Sequence, residues 1–192
     1  ESVFGPDTDR QIGLATNLLD AAAVEAAVQR ALKQFGRIDV LCNLAGGFRM
    51  GEAVHETSDA TWNFLMDLNV RSVLHTARAV VPAMLAAGGG RIVNVGAGAA
   101  GKGGAHMGAY AASKSAVARL TESMAAELRE KGVHVNCVLP SIIDTPENRK
   151  DMPEADPSRW VSPQSLAGVI AFLASDAARD IRGASVPVTG LS

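Results

Sequence analysis

A tyrosine and a lysine four residues apart offer the clearest chemistry in this sequence. Tyr110 is the only tyrosine of the chain, and Lys114 follows it in the string YAASKSAV. The surrounding residues predict a helix, on which positions four apart share a face. A free phenol has a pKa near 10, and a lysine ammonium about 4 Å away stabilises its anion by roughly 4 kcal/mol. The pair is therefore typical of a general acid–base that moves a proton at an alcohol oxygen, although a chance pairing on a surface helix stays open.

The elements that must position this pair alternate between strand and helix. Apolar runs predict strands over residues 12–18, 38–44, 91–97, 133–139 and 184–188. Helical spacing follows Asp20, Ser58 and Asn69, and continues over residues 109–130 and 164–175. The proline-containing stretch 145–161 predicts a mobile surface loop. Such alternation indicates an α/β fold with a doubly wound parallel sheet, whose ligands bind at the carboxyl ends of the strands.

Composition limits the classes of function. The 192 residues suit one domain, 1–192, and the net charge of −2 comes without dense runs of Lys and Arg. We therefore expect neither a nucleic-acid partner nor a membrane partner, and the apolar runs stop short of the roughly 18 residues of a membrane span. Cys42 and Cys137 lie in apolar runs and read as small core residues, which together with the absence of a visible secretory signal fits a cytoplasmic location. The histidines show no metal-ligand spacing, so we expect no metal.

Other motifs stand in a fixed order around the Tyr–Lys pair. The string NLAG (43–46) follows one predicted strand, LNV (68–70) lies between two helical stretches, and PSIIDT (140–145) follows another strand. With YAASK, this ordered set resembles the short-chain dehydrogenase/reductase family, in particular its 3-oxoacyl-acyl-carrier-protein reductase-like members. The resemblance runs from about residue 12 to the end of the chain. It implies a Rossmann-like fold, NAD or NADP as cofactor, and hydride transfer with a small carbonyl or alcohol substrate.

The resemblance also implies roles for single residues. Tyr110 is the expected catalytic acid–base, and Lys114 is expected to lower the Tyr110 pKa and to hold the nicotinamide ribose hydroxyls. Asn69 matches an asparagine that anchors a water in the proton relay. The remaining cofactor contacts are expected at Asn17 and Leu18 beside adenine, at Asn43, Ala45 and Gly46 in a turn along the cofactor, and at Pro140, Ile143 and Thr145 near the carboxamide.

The residue thirteen positions before the tyrosine departs from the family. A serine is expected there, and this chain has Ala97. The missing hydroxyl would have bonded the substrate oxygen, and loss of one such donor typically costs about 10²–10³ in rate. His106 or Lys102 is a hypothetical replacement, with Met107 as a further substrate contact. The alternative is that these are solvated loop residues.

The second departure lies before residue 12, where no Gly-rich turn of the kind that binds pyrophosphate is present. The first two strands of the usual order are also absent, which leaves the predicted 12–18 strand without a neighbour. We expect the chain to be a fragment of a longer protein, or else another segment to fill the sheet.

These observations predict two alternative functions. One is an oxidoreductase impaired at Ala97, and the other is an inactive relative that serves as a binding or scaffold subunit. Apolar helices after Asn69 and around Tyr110 predict a homodimer or homotetramer, unless they only cover the sheet.

Overall fold

Four parallel strands form the sheet in a computed structural model that describes residues 5–192. They are β1 (Val40–Asn43), β2 (Gly90–Val95), β3 (Val133–Pro140) and β4 (Ser185–Val188), and their order in the sheet follows the chain. Val40 pairs with Arg91, and Cys137 pairs with Ser185, which fixes the register. The carboxyl ends of the strands therefore lie along one edge of the sheet, as the sequence predicts.

Six α-helices connect and cover these strands. They are α1 (Ala21–Phe35), α2 (Asp59–Met66), α3 (Ser72–Ala86), α4 (Gly108–Leu128), α5 (Pro146–Asp151) and α6 (Pro163–Leu173). Local sequence sets their ends. The Asp20 carboxylate accepts hydrogen bonds from the amides of Ala22 and Ala23 at the start of α1, and Gly36 ends that helix with a φ of +81°.

The core has two layers, one on each face of the sheet. Ile92 and Val135 pack with α1, α3 and the end of α4, whereas Val93 and Val138 pack with α6. Because neighbouring strand residues point to opposite faces, Ile92 and Val93 can serve both layers. The predicted doubly wound, Rossmann-like α/β class is confirmed.

The predicted strand over 12–18 is wrong. These residues pair with no strand and end in a turn, in which the Asn17 carbonyl accepts a hydrogen bond from the Asp20 amide. A strand at residues 12–18 would have unpaired backbone N–H and C=O groups, because no neighbouring strand is present in residues 5–39. β1 consequently forms one edge of the sheet.

Two smaller predictions are also corrected. Cys42 is exposed rather than part of the core, because β1 is covered on only one side, whereas Cys137 is buried; both are free thiols. The predicted mobile loop after Thr145 contains α5 and a bridge between Ile143 and Val161. Proline at the first position of α5 favours helix initiation there.

Candidate active site

Tyr110 lies in the first turn of α4, beside the carboxyl ends of the strands. α4 begins at Gly108, where a Cβ atom would lie 2.6 Å from Val54 Cγ2, so only glycine allows this close approach. The Tyr110 ring is partly buried and meets Phe48 edge-on, with ring centroids 4.8 Å apart and planes at 90°. This contact fixes the plane of the phenol ring.

Lys114 lies one turn further along α4 and is almost fully buried, with 5% of its surface exposed. Its Nζ donates a hydrogen bond to the Val95 carbonyl at the end of β2, at 3.1 Å. A Cβ atom on Gly46 would lie 3.0 Å from Nζ and 3.0 Å from Asn69 Oδ1. The glycine therefore leaves room for the ammonium group between the ends of β1 and β2.

Burial dominates the titration of both groups. It lowers the pKa of Lys114 to about 8, with the nearby Cys137 thiol acting in the opposite direction. It also raises the pKa of Tyr110 above its ordinary value. Desolvation penalises both charged forms, so the net direction for the Tyr110 pKa is upward, and a lowering of this pKa by Lys114 stays a prediction.

Asn69 joins the loop after β1 to α4. It is buried in a π-helical turn, Asp67–Arg71, between α2 and α3. Its amide nitrogen donates to the Gly47 carbonyl at 3.0 Å and to Ser113 Oγ at 2.9 Å, and its carbonyl oxygen accepts from the Gly47 amide at 2.8 Å. Ser113 in turn donates to the Tyr110 carbonyl at 2.8 Å. The side chain therefore positions both walls of the site, and its role toward a water stays a prediction.

A second buried polar chain ties the strands together beneath the site. Thr76 donates to Asn43 Oδ1, Asn43 Nδ2 donates to Asn94 Oδ1, and each distance is 2.8 Å. Asn94 Nδ2 then donates to Thr121 on α4 at 2.9 Å. Asn43 thus bonds protein groups through both atoms of its amide. The sequence analysis missed Asn94, Thr121 and Ser113, and the available signal was an asparagine inside the apolar run RIVNV.

Ala97 is buried directly after β2, with an extended backbone. His106 and Met107 instead line a cavity of about 220 Å³ beside the start of α4. His106 is exposed and has a φ of +59°, a conformation found at functional sites but costly for a side-chain-bearing residue. Lys102 is exposed in the intervening loop.

The other predicted cofactor contacts lie around the same edge of the sheet or in the segment before α1. Asn17 Oδ1 accepts from the Leu19 amide at 3.0 Å, and the Leu18 carbonyl bonds His75 Nδ1 at 2.9 Å. Pro140 ends β3, paired with Val188. Thr145 caps α5 by accepting from the Asn148 amide at 3.2 Å. Ala45 is exposed in the turn after β1, next to Gly46, and Ile143 forms the bridge already described.

These residues fit one end of a nicotinamide cofactor. The space kept open at Gly46, with a buried lysine at its wall, suits the ribose hydroxyls, which Lys114 would hold. The pyrophosphate end lacks its usual partner within residues 5–192, because no Gly-rich turn leads from a strand into a helix before β1. A larger cavity of about 510 Å³ lies at the opposite, amino ends of the strands and contains none of the predicted residues.

Within residues 5–192, no group of three or more His, Cys, Asp or Glu side chains is placed to hold a metal ion. No helix in that part of the chain is long and apolar enough to cross a membrane.

Known proteins resemble the chain over nearly its full length. D-threitol dehydrogenase of Mycolicibacterium smegmatis is 36% identical over 196 residues, which cover 97% of this chain and 75% of that protein. A 3-oxoacyl-[acyl-carrier-protein] reductase, FabG of Vibrio cholerae, is 32% identical over 95% of this chain and 78% of its own length. The predicted likeness to this kind of reductase is thereby confirmed.

Solved structures share the fold. Carveol dehydrogenase from Mycobacterium avium in complex with NAD superposes with a TM-score of 0.84 at 29% identity, over 91% of this chain and 72% of that one. ElxO with NADP bound gives a TM-score of 0.85 at 26% identity, over 91% and 75%. The family model described as short chain dehydrogenase matches residues 4–156. By sequence and by fold, the chain belongs to the short-chain dehydrogenase family.

Proposed function

We propose that this chain, one incomplete Rossmann-type domain over 1–192, interconverts a small carbonyl compound and its alcohol, with Tyr110 handling the proton. The observation that carries the proposal is the placement of Tyr110 and Lys114. The phenol lies at the carboxyl edge of the sheet with its ring held by Phe48, and the lysine is buried one turn behind it. A general acid–base must be held in a fixed position, and the contact with Phe48 holds the phenol ring.

The cofactor of the proposal is NAD or NADP. When bound, the nicotinamide supplies or accepts the hydride, and solved relatives hold either form. Gly46 leaves the space, and Lys114 provides the donor for the ribose hydroxyls. Asn43 and Ala45 flank that turn, while Pro140, Ile143 and Thr145 would line the carboxamide end. Asn17 and Leu18 are the proposed adenine contacts.

In the reducing direction, Tyr110 gives its proton to the substrate oxygen as charge develops there. The raised pKa of the free phenol keeps it protonated at neutral pH, which suits this role as an acid. For alcohol oxidation, the phenol must lose its proton. A ribose held at Nζ would replace part of the solvation that Lys114 lacks and would favour its charged form, which in turn stabilises the phenolate.

We further propose that Ala97 weakens this activity. A methyl group at this position donates no hydrogen bond to the substrate oxygen, so part of the developing charge stays uncompensated. His106 and Met107 face the neighbouring cavity and remain candidate substrate contacts.

The test uses the protein in two steps. NADH and NADPH are first titrated while the nicotinamide fluorescence is recorded, and a panel of small ketones and alcohols is then assayed for turnover. Binding followed by slow turnover is the expected result. Absence of turnover on every substrate despite binding would overturn the proposal.

A second candidate function is a binding or scaffold subunit without turnover. Ala97 and the missing pyrophosphate turn favour it. Binding of NADH with no turnover, unchanged by restoring a serine at position 97, is the result that would support this candidate.

The proposal also includes self-association of the chain and its cellular location. Trp62 on α2 and Leu74 on α3 are exposed apolar side chains that favour a homodimer or homotetramer. Light scattering coupled to gel filtration gives the mass, and a single-chain mass at all concentrations would contradict it. We propose a cytoplasmic location, which cell fractionation tests.

A further inference from the structure

A cavity of about 220 Å³ opens beside the first turn of α4 and takes no part in the proton transfer. Its wall includes Arg49, Glu52, His106 and Met107, and it reaches Ala109, the residue directly before Tyr110. The cavity is therefore placed to receive the part of a substrate that extends away from the reacting carbon.

Arg49 is the cation of this cavity, and its donors are unused. Its Cζ atom lies 3.8 Å from the centroid of the Phe64 ring, so the guanidinium is stacked on the aromatic face. Stacking leaves the five N–H donors free, because they all lie in the guanidinium plane. Among residues 5–192, Arg49 forms no salt bridge or hydrogen bond at bonding distance, and its only charge partner is Glu52, which it influences from further away. Such an edge fits the two oxygens of a carboxylate.

Glu52 is the anion of the same cavity, and its oxygens are occupied elsewhere. They accept from the Ser58 amide at 3.0 Å, from Ser58 Oγ at 3.3 Å and from Thr61 Oγ1 at 3.0 Å. These bonds, with a smaller contribution from the charge of Arg49, lower the pKa of Glu52, and they hold its carboxylate against the start of α2. Glu52 therefore repels an anionic ligand from its own side of the cavity and leaves the Arg49 edge as the favourable position.

The loop that presents Arg49 is fixed at both ends. Asn69 bonds both backbone groups of Gly47, and the Gly51 amide donates to the His106 carbonyl at 2.9 Å. Phe48, within this loop, contacts the Tyr110 ring. A backbone fixed at both ends lowers the ordering cost of binding a ligand at Arg49.

We propose that Arg49 binds a substrate carboxylate, which makes the substrate a small oxo acid or hydroxy acid. Its reacting carbon lies at Tyr110, and its body passes Phe48 to reach the guanidinium edge. This inference rests on the proposed function and adds a substrate class to it.

The kinetic test compares 4-oxocyclohexanecarboxylate with its methyl ester, with cofactor at saturation. The wild-type ratio of kcat/KM, acid over ester, is expected to fall by about 10- to 100-fold in Arg49→Gln, because a charge-assisted hydrogen bond is lost. Arg30→Gln removes the same charge from the exposed face of α1 and is expected to keep the wild-type ratio. An equal ratio in wild type and Arg49→Gln would overturn the proposal.

Binding measured without turnover separates the two claims. Saturation-transfer NMR of the acid should show binding to the wild type that weakens at least tenfold in Arg49→Gln. Arg49-dependent binding without turnover would contradict the proposed function and support the carboxylate site. Turnover that does not depend on Arg49, or no binding of the acid to the wild type, would overturn the carboxylate site.

Discussion

The two edges of the site differ in how fully their side chains are bonded and buried. Around Tyr110 and Lys114, the buried amides of Asn69 and Asn94 each have a partner on another element. At the outer side of β1, by contrast, apolar side chains are exposed, with 41% of Val40 and 62% of Leu44 accessible, whereas Ile92 on β2 is 1% accessible. The difference teaches that the residues proposed for proton transfer are organised within this chain, while the pyrophosphate side of the cofactor has no usual partner in residues 5–192.

The largest expected gain in rate is at Ala97. Ala97→Ser adds one hydroxyl directly after β2, and its hydrogen bond to the substrate oxygen should raise kcat by about 10²–10³. Steady-state kinetics on the best ketone of the panel measures it. Ala100→Ser, three residues further on, is the matched control and should leave kcat near the wild-type value. Equal kcat for Ala97→Ser and wild type would show that position 97 does not meet the substrate oxygen.

Replacing Asn69 tests how much the edge around Tyr110 and Lys114 depends on the hydrogen bonds of one side-chain amide. Asn69→Ala leaves the Gly47 amide and carbonyl without partners, so the free energy of unfolding should fall by about 2–4 kcal/mol. Urea titration followed by circular dichroism measures this change. The exposed Asn63→Ala on α2 is the control, with an expected change within about 0.5 kcal/mol. Similar losses in both variants would contradict the positioning role.

The pH dependence of stability should reveal buried Lys114. Its pKa is about 8 in the folded chain and 10.5 when unperturbed, so between these values the unfolded chain binds more protons. The contribution of Lys114 to stability should therefore rise with pH, by about 2 kcal/mol from pH 8 to pH 10. Cys42 and Cys137 act oppositely from about pH 9.0, and Tyr110 from about pH 10.0, because their pKa values are raised and the folded chain then keeps the proton longer. The difference between the wild type and Lys114→Met isolates the Lys114 contribution.

Urea titrations at pH 8, 9 and 10 without cofactor measure the Lys114 effect. Lys114→Met should abolish the rise, whereas the exposed Lys131→Met should keep it. Parallel profiles for the wild type and Lys114→Met would mean that Lys114 is solvated rather than buried.

The smallest expected effect is on the thiol reactivity of Cys42, on the edge strand β1. Cys42 is exposed and Cys137 is buried, so a thiol reagent should modify one cysteine quickly and the other only after unfolding. Burial of part of the Cys42 thiol raises its pKa, so its rate should increase as the pH rises. Cys42→Ser should remove the fast phase, and Cys137→Ser should keep it. Slow modification of both cysteines would indicate that the outer side of β1 is covered.

Sequence patterns predicted the structural features that depend on the local spacing of apolar residues. The four paired strands, the start of α1 after Asp20, and the place of Tyr110 on α4 all follow from such patterns. The 12–18 strand failed because an apolar run predicts only strand propensity, whereas pairing requires a neighbour.

Contacts across the fold were less accessible from sequence. Arg49 on Phe64 and Asn94 with Thr121 join residues distant in the chain, so no local pattern signals them. The opposing pKa directions of Tyr110 and Lys114 also escaped prediction, because desolvation depends on burial that only the packed structure defines.

The central claim is that Tyr110 moves the proton, and Tyr110→Phe tests it most directly. Phenylalanine keeps the ring against Phe48 and removes only the hydroxyl, so folding and NADH binding should be retained. Turnover of the best ketone, measured with saturating cofactor, should fall by about 10²–10⁴ relative to wild type. Turnover within about twofold of wild type would contradict the account, because it would place the acid–base elsewhere.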